Sequence, residues 1–163
     1  MIDLSVLTEK ASLVAKEAGT YLRERQRTFD RSVVELKSMN ALVSDVDRST
    51  EELIVQHLKK IFPEAGFLTE EETTIQKTDS EYTWVIDPLD GTTNFVHGLP
   101  IYSVSIALLR EEWPILGVVY EAGMDECFTA YEGGGAFLNG KRISTTTSER
   151  LKDTLLATGF PYY

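Results

Sequence analysis

The stretch from residue 102 to residue 143 is a succession of short apolar segments whose connections are too brief to contain a helix. Each segment is rich in β-branched and aromatic residues, which favours strands. The dipeptide Asn139-Gly140 between the last two segments is typical of a tight two-residue hairpin. Since parallel neighbours need a crossover of about a dozen residues or more, we expect these strands to pair antiparallel. The strands predicted here are Tyr102–Leu109, Ile115–Tyr120, Glu126–Tyr131, Ala136–Leu138 and Lys141–Ile143.

Two amphipathic helices are predicted in the first part of the chain. Apolar residues recur at helical spacing behind Asp3, a potential N-cap, which predicts a helix over residues 4–26. Ser44-x-x-Asp47 matches a capping box, and the apolar stripe after it ends at Pro63, which predicts a second helix. We therefore expect an α+β domain with two helices packed on one face of a mostly antiparallel sheet. Further strands are predicted at Phe29–Leu36, Gly66–Thr69 and Tyr82–Ile86.

The charge of the chain restricts its partners. Sixteen basic and twenty-six acidic residues give a net charge of −10 and a pI near 4.7, which argues against binding to nucleic acid or to an anionic membrane surface. The single cysteine, Cys127, excludes an internal disulfide, and no apolar run is long enough to span a bilayer. A protein of the reducing cytoplasm is therefore expected.

The acidic residues are concentrated in the middle of the chain. Residues 61–132 hold fourteen acidic and two basic side chains. Such runs commonly form a solvated face, but Glu70, Glu71, Asp87 and Asp90 adjoin apolar strand-like segments, where unpaired carboxylates would be costly. These four carboxylates predict a bound cation.

The segment from Trp84 to Phe95 carries the strongest chemical signal. An apolar strand is expected to place Asp87 at its end, and Asp90 returns across a turn that Pro88 helps to shape. Two converging carboxylates must share a proton or bind a metal, and oxygen ligands without Cys or His suit Mg²⁺ or Mn²⁺. The Leu89 carbonyl between them is a further potential ligand.

Gly91, Thr92 and Thr93 follow at once and predict an anion site beside the cation. Small residues with free N–H groups at the opening of a helix or turn bind phosphate, so one phosphate would bridge the cation and the backbone. Two other interpretations stay open. In the first, Asp87 acts as a nucleophile, as the first aspartate does in haloacid-dehalogenase phosphatases. In those enzymes one residue separates the two aspartates, whereas two separate Asp87 from Asp90. In the second, the chain is a non-catalytic module that binds a divalent cation or forms a subunit interface.

These residues resemble the signature of the inositol monophosphatase family. The resemblance is carried by the run Trp84–Pro100, which contains Asp-Pro-Leu-Asp-Gly-Thr-Thr-Asn-Phe-Val-His-Gly-Leu-Pro, and it extends over most of the chain. It implies the N-terminal domain of a layered αβ sugar-phosphatase fold over residues 1–143, with residues 144–163 as a linker and the start of a second domain. The other matching residues are Lys37-Ser38, Asp47, Glu70-Glu71, Gly117–Tyr120 and Gly135–Gly140.

The resemblance also implies a set of metal ligands. One Mg²⁺ ion would be held by Glu70, Asp87 and the Leu89 carbonyl. A second would be held by Asp87 and Asp90, and the complete enzyme would use two or three ions. Mn²⁺ is an alternative metal.

Catalytic roles follow from the same resemblance. Thr92, with Asp47 behind it, would orient and deprotonate the attacking water, and Glu70 belongs to the catalytic set. The alternative role of Asp47, as the cap of the second helix, stays open. Glu71 and Lys37 would support the site. The residues implied to bind phosphate are Asp90, Gly91, Thr92 and Thr93.

The activity implied is Mg²⁺-dependent hydrolysis of inositol 1-phosphate by metal-activated water, with no covalent intermediate. A homodimer that lithium inhibits is implied as well. Thr93-Asn94-Phe95 favours inositol phosphates over the substrates of the family's nucleotide phosphatases, and fructose-bisphosphatase activity is a further alternative. Because the family has a second domain that this sequence lacks, we expect the chain to be part of a longer enzyme and to bind metal weakly alone.

Overall fold

A capped helix opens the chain. Helix α1 spans Leu4–Thr28, and Oδ1 of Asp3 accepts a hydrogen bond from the Val6 N–H at 3.1 Å. This bond satisfies one of the amide groups that the start of a helix leaves unpaired, so the predicted first helix and its cap are confirmed. A computed structural model of the chain provides this description, and the residues that it describes are 2–28, 36–77 and 80–157, without the side chains of 36–44.

The second helix begins earlier than predicted. Helix α2 spans Leu36–Ile61, so the predicted capping box is wrong: Ser44 and Asp47 lie inside the helix, where each backbone amide bonds to the carbonyl four residues before it. Apolar residues at helical spacing lie on both sides of the motif, and this longer pattern prevails. The predicted strand Phe29–Leu36 lies outside the described residues except for Leu36, which begins α2.

Within the described part of the chain, seven strands form one sheet in which their order is their order in the sequence. The strands are β1 (Gly66–Thr69), β2 (Tyr82–Asp90), β3 (Ser103–Arg110), β4 (Trp113–Glu121), β5 (Glu126–Tyr131), β6 (Gly135–Leu138) and β7 (Lys141–Ile143). β1 and β2 pair in parallel, and all later neighbours pair antiparallel. For β3 to β7 this is the pairing that the short connections predict. β2 runs to Asp90 instead of ending at Ile86, and a short helix, α3 (Thr92–His97), follows it.

Both long helices pack on one face of the sheet, α1 against β3, β4 and β5 and α2 against β2. In β3, Val104, Ile106 and Leu108 are buried and alternate with partly exposed residues, as expected of a sheet covered on one side. α1 approaches β4 closely at Gly19, where a Cβ atom would overlap the Tyr120 ring. The predicted α+β architecture, with two helices on one face of a mostly antiparallel sheet, is confirmed.

The two edges of the sheet differ. Along β1, the segment that follows the strand covers the outer side: the Lys77 N–H donates to the Phe67 carbonyl at 2.8 Å, and the Thr69 N–H donates to Oε1 of Gln76 at 2.8 Å. At the other edge, β7 is exposed and has no strand partner on its outer side among the described residues. Only the β1 edge is therefore closed to further strand pairing.

Beyond β7 the described chain lies on the surface. Residues 144–157 are exposed and contain one 3₁₀ turn, Leu151–Asp153. The predicted division into a domain over residues 1–143 and a linker over residues 144–163 stays a prediction. None of the helices in the described ranges combines the length and the hydropathy that a membrane crossing requires.

Candidate active site

Strand β2 carries a bulge that places two aspartates on one side of the sheet. Residues three apart in a regular strand point to opposite faces. Here Asp87 lies opposite Ser105 and Asp90 opposite Ser103, so three steps along β2 match two along β3. Because Ser103 and Ser105 share a face, the two aspartates share it as well. Pro88, which has no N–H group, fits the interrupted ladder.

Glu70 reaches the same place from the neighbouring strand. Because β1 ends beside Ile86 of the parallel strand β2, Glu70 and Asp87 follow side by side. Burial raises the pKa of Asp87 to about 7, and the neighbouring carboxyl group of Glu70 and the charge of Asp90 add to the shift. The Leu89 N–H donates a hydrogen bond to Oδ1 of Asp87 at 3.1 Å, which lowers the pKa of Asp87 and so opposes part of the rise. The structure thus places Glu70 and Asp87 side by side, and their role as metal ligands stays a prediction.

Asp47 approaches these carboxylates from α2. It is 7% exposed, and no described residue donates a hydrogen bond to its Oδ1. Burial first, and then the charges of Glu71, Glu70 and Asp87, raise the pKa of Asp47 to about 7. A buried polar atom without a partner costs on the order of 1–3 kcal/mol. The position inside α2 excludes a capping role, and Oδ1 is left without a hydrogen-bond partner among the described residues.

The helix α3 begins directly after Asp90. Gly91 has a left-handed backbone with φ 96°, and a Cβ atom there would lie 3.0 Å from the Ile101 carbonyl oxygen. Glycine therefore permits the abrupt change from strand to helix. As a result, the predicted phosphate-binding residues Gly91, Thr92 and Thr93 lie within one turn beside Asp90.

Thr92 makes a contact that the sequence did not indicate. Its Oγ1 donates a hydrogen bond to the Leu89 carbonyl at 3.0 Å. Since no described residue reaches Oδ1 of Asp47, the predicted contact between Thr92 and Asp47 is not made through that atom. The Leu89 carbonyl retains a second lone pair with which it can bind a cation.

Replacing Gly91 with alanine tests the backbone at this turn. We expect Gly91→Ala to lower the free energy of unfolding by about 2 kcal/mol, because alanine is strained at positive φ and its Cβ would press on the Ile101 carbonyl. Urea unfolding followed by circular dichroism measures the change. Gly117→Ala is the matched control, because a Cβ atom there meets no atom within 4 Å, and it should leave stability unchanged or raise it by up to about 1 kcal/mol. Equal losses in the two variants would contradict the inferred strain.

A buried glutamate that the sequence analysis missed holds the acidic loop after β1. Glu51 lies one turn after Asp47 on α2 and is 0% exposed. Its Oε2 accepts a hydrogen bond from the Glu71 N–H at 2.7 Å. Its Oε1 accepts from the Thr73 N–H at 2.8 Å and from the Thr73 hydroxyl at 2.7 Å. A signal was available, because Asp47, Glu51 and Ile54 recur at the spacing of one helix face, which predicts a buried glutamate that needs partners.

Of the two residues predicted to support the site, the structure describes the side chain of Glu71 but not that of Lys37. The carboxylate of Glu71 lies near enough to Asp47 to raise its pKa, while the Glu71 N–H is bound by Glu51. Lys37 lies in the first turn of α2, and its side chain is outside the described residues.

The donors at this place suit a hard divalent cation. Among the residues that the structure describes, no three Asp, Glu, His or Cys side chains are grouped to hold one ion. Mg²⁺, however, keeps several waters and is usually bound by one or two carboxylates plus phosphate oxygens, a requirement that Glu70, Asp87 and Asp90 with the Leu89 carbonyl meet. The unpartnered Oδ1 of Asp47 and the raised pKa of Asp87 both mark an excess of negative charge that a cation would balance. The residues present therefore fit Mg²⁺ or Mn²⁺.

Known proteins resemble this chain in sequence. The profile of the inositol monophosphatase family matches residues 3–163. The chain is 47% identical over 148 residues to inositol monophosphatase 3 of Solanum lycopersicum and 41% identical over 148 residues to inositol-1-monophosphatase of Mesorhizobium japonicum. The two alignments cover 88% and 91% of this chain but 54% and 56% of the relatives. The chain therefore spans about half the length of these relatives.

A solved structure agrees with the sequence comparison. The crystal structure of extragenic suppressor protein suhB from Bartonella henselae matches with a TM-score of 0.74 and 37% identity, over 90% of this chain and 56% of that chain. The family profile covers nearly the whole sequence, including the bulged strand and the acidic loop. The resemblance noted in the sequence is thus confirmed, and the chain belongs to the inositol monophosphatase family.

Proposed function

We propose that the protein hydrolyses phosphomonoesters with Mg²⁺ and that inositol 1-phosphate is its substrate. The observation that carries the proposal is the placement of three acidic residues at one end of the sheet: Glu70 follows β1 beside Asp87 of the parallel strand β2, and the bulge puts Asp90 on the same face as Asp87. Carboxylates this close need a proton or a cation between them. The start of α3 lies next to them, which gives a phosphate amide donors on one side and a cation on the other. The name of the Mesorhizobium japonicum relative, inositol-1-monophosphatase, supports the choice of substrate.

The proposed ligands divide between two ions. Glu70, Asp87 and the Leu89 carbonyl would hold one Mg²⁺, and Asp87 and Asp90 a second, within a set of two or three. Bound there, Mg²⁺ supplies the positive charge that lowers the pKa of water and neutralises phosphate oxygens. Mn²⁺ suits the same oxygen ligands.

The remaining residues would position the reactants. The N–H groups of Gly91, Thr92 and Thr93 would donate to phosphate oxygens. While Oγ1 of Thr92 donates to the Leu89 carbonyl, its lone pairs can accept a hydrogen bond from the attacking water and orient it. Oδ1 of Asp47, which no described residue contacts through a hydrogen bond, would take the proton that this water releases. A bond between phosphorus and the water oxygen would form as the bond between phosphorus and the inositol oxygen breaks, the leaving oxygen would take up a proton from the solvent, and no covalent bond to the protein would form.

Three narrower proposals rest on the family resemblance. The enzyme is a homodimer, it acts in the cytoplasm, and lithium inhibits it. Fructose 1,6-bisphosphate and nucleotide phosphates are the alternative substrates within the family.

Phosphate release tests the proposed activity. The protein as encoded by its gene should release phosphate from inositol 1-phosphate with Mg²⁺. This activity should be lost when EDTA removes the metal and, in a separate assay with Mg²⁺ present, when LiCl is added. Fructose 1,6-bisphosphate and a 3′-phosphorylated nucleotide, assayed in parallel, should react more slowly. The 163-residue chain alone should be less active than a full-length relative, because it spans about half the length of the relatives.

Two results would contradict this mechanism. If none of the three substrates releases phosphate with Mg²⁺ although the protein binds the ion, the chain is a cation-binding or interface module. If a phosphorylated Asp87 is trapped from the reaction, the nucleophilic mechanism replaces direct attack by water.

A further inference from the structure

Glu51 is a fully buried carboxylate whose three hydrogen bonds all come from one loop. The donors are the Glu71 N–H, the Thr73 N–H and the Thr73 hydroxyl, at 2.7–2.8 Å. A glutamate at 0% exposure is tolerated only where its charge is compensated, and three short bonds to a carboxylate provide that compensation. Glu51 has no role in the proposed reaction.

The loop is shaped around this carboxylate. The two amide donors flank Glu72, which has a left-handed backbone with φ 52°. A left-handed residue at such a place turns the N–H groups on either side of it toward one point, which creates a concave anion site. Here the anion is the side chain of Glu51. Without this carboxylate, the amides of Glu71 and Thr73 would lose their hydrogen-bond acceptor. The strain of the left-handed backbone at Glu72 would then have no hydrogen bonds to offset it.

What this loop positions is Glu70. The Glu71 N–H belongs to the peptide group that joins Glu71 to Glu70, so the hydrogen bond that it donates to Glu51 fixes the peptide plane attached to Glu70. The residue that this plane carries, Glu70, lies beside Asp87 because β1 and β2 are parallel neighbours. A rotation of the plane would carry the Glu70 carboxylate away from Asp87.

The two buried acids of α2 have contrasting environments. Asp47 and Glu51 are one turn apart on the same face of the helix. Glu51 has all its bonds to the loop, whereas Oδ1 of Asp47 has no partner among the described residues. One helix thus supplies both a group that holds the loop and a group that is left free for the reactants.

We infer that Glu51 is a positioning residue that sets the affinity of the site for its divalent cation, by holding Glu70 against Asp87 through the backbone of the loop. Glu51 does not touch the cation in this arrangement. The inference rests on the cation site of the proposed function and extends it to a residue outside the ligand set.

Mn²⁺ titration of the protein as encoded by its gene, followed by electron paramagnetic resonance, tests the inference. Glu51→Gln, which puts an amide in place of an acceptor oxygen, should weaken Mn²⁺ binding about 10–100-fold, the usual effect of losing a group that orients a ligand. Thr73→Val keeps the charge of Glu51 and removes one hydrogen bond, so it should weaken binding by a smaller factor. Thr73→Ser retains the hydroxyl and should bind Mn²⁺ like the wild type.

The matched control is Glu52→Gln, which makes the same substitution at the exposed neighbour of Glu51 and should leave Mn²⁺ binding unchanged. The Mg²⁺ concentration for half-maximal phosphate release should rise in Glu51→Gln more than kcat at saturating Mg²⁺ falls. If Glu51→Gln and Thr73→Val lower only the Tm and bind Mn²⁺ like the wild type, the inference is wrong and Glu51 is merely structural. If the wild type binds no Mn²⁺, the proposed function fails first and this inference with it.

Discussion

Asp90→Asn is expected to lower kcat for phosphate release from inositol 1-phosphate by about 10²–10³-fold, the usual loss when a preorganised electrostatic contact is removed from an active site. The side chain is exposed at the end of β2, so the amide should leave Tm within about 2 °C of the wild type. It would remove the negative charge that, with Asp87, is proposed to hold the second Mg²⁺. The measurements are kcat at saturating Mg²⁺ and thermal unfolding of the same preparations.

The matched control for this variant is Asp45→Asn. Asp45 is an aspartate on α2 whose side chain is 69% exposed and lies 3.9 Å from Arg25, a pairing that contributes little at the surface. Its replacement should keep kcat within about twofold of the wild type and Tm within about 2 °C. If the Asp90→Asn protein is as active as the Asp45→Asn protein, Asp90 has no part in the proposed site.

Asp47→Asn should change stability and activity in opposite directions. With metal removed at pH 8, we expect the variant to gain about 1–2 kcal/mol, or about 3–6 °C in Tm, because it no longer buries an unpaired charge. kcat with Mg²⁺ should fall at least about 10²-fold, because the proposed proton acceptor is lost. Thermal unfolding in EDTA and phosphate release measure the two effects.

The pH dependence of this gain has a definite sign. Because folding raises the pKa of Asp47 from 3.8 to about 7, the folded state binds more protons than the unfolded state between these values, and this group makes stability fall as pH rises through that window. The advantage of the variant should therefore be full at pH 8 and absent at pH 4. A lower Tm for Asp47→Asn at pH 8 would show that the carboxylate is paired after all.

Local sequence patterns predicted most of the fold. Short connections force antiparallel pairing, and Asn139-Gly140 has the positive φ of 49° and 77° that a type I′ hairpin needs. The exception was the capping box at Ser44 and Asp47, a short motif that also occurs inside helices. Its interpretation depended on whether helical spacing continues upstream, and it does, to Leu36.

The candidate site was predicted in composition more than in geometry. Asp87 and Asp90 stood out because they adjoin an apolar strand, but the bulge that brings them to one face is a matter of register with β3, which a single strand does not encode. Glu51 was missed for a related reason. Its partners, Glu71 and Thr73, lie twenty and twenty-two residues away, and only the assembled fold shows that they meet.

The closed edge at β1 determines where another polypeptide could extend the sheet. Gln76 and Lys77 already bond to outward backbone groups of β1, so in the described part of the sheet a strand from another molecule finds free donors and acceptors along β7 and not along β1. Five strand spacings separate β7 from β2, a distance of about 24 Å. Association by strand addition along β7 would thus enlarge the sheet far from β2 and leave the proposed phosphate site beside β2 uncovered.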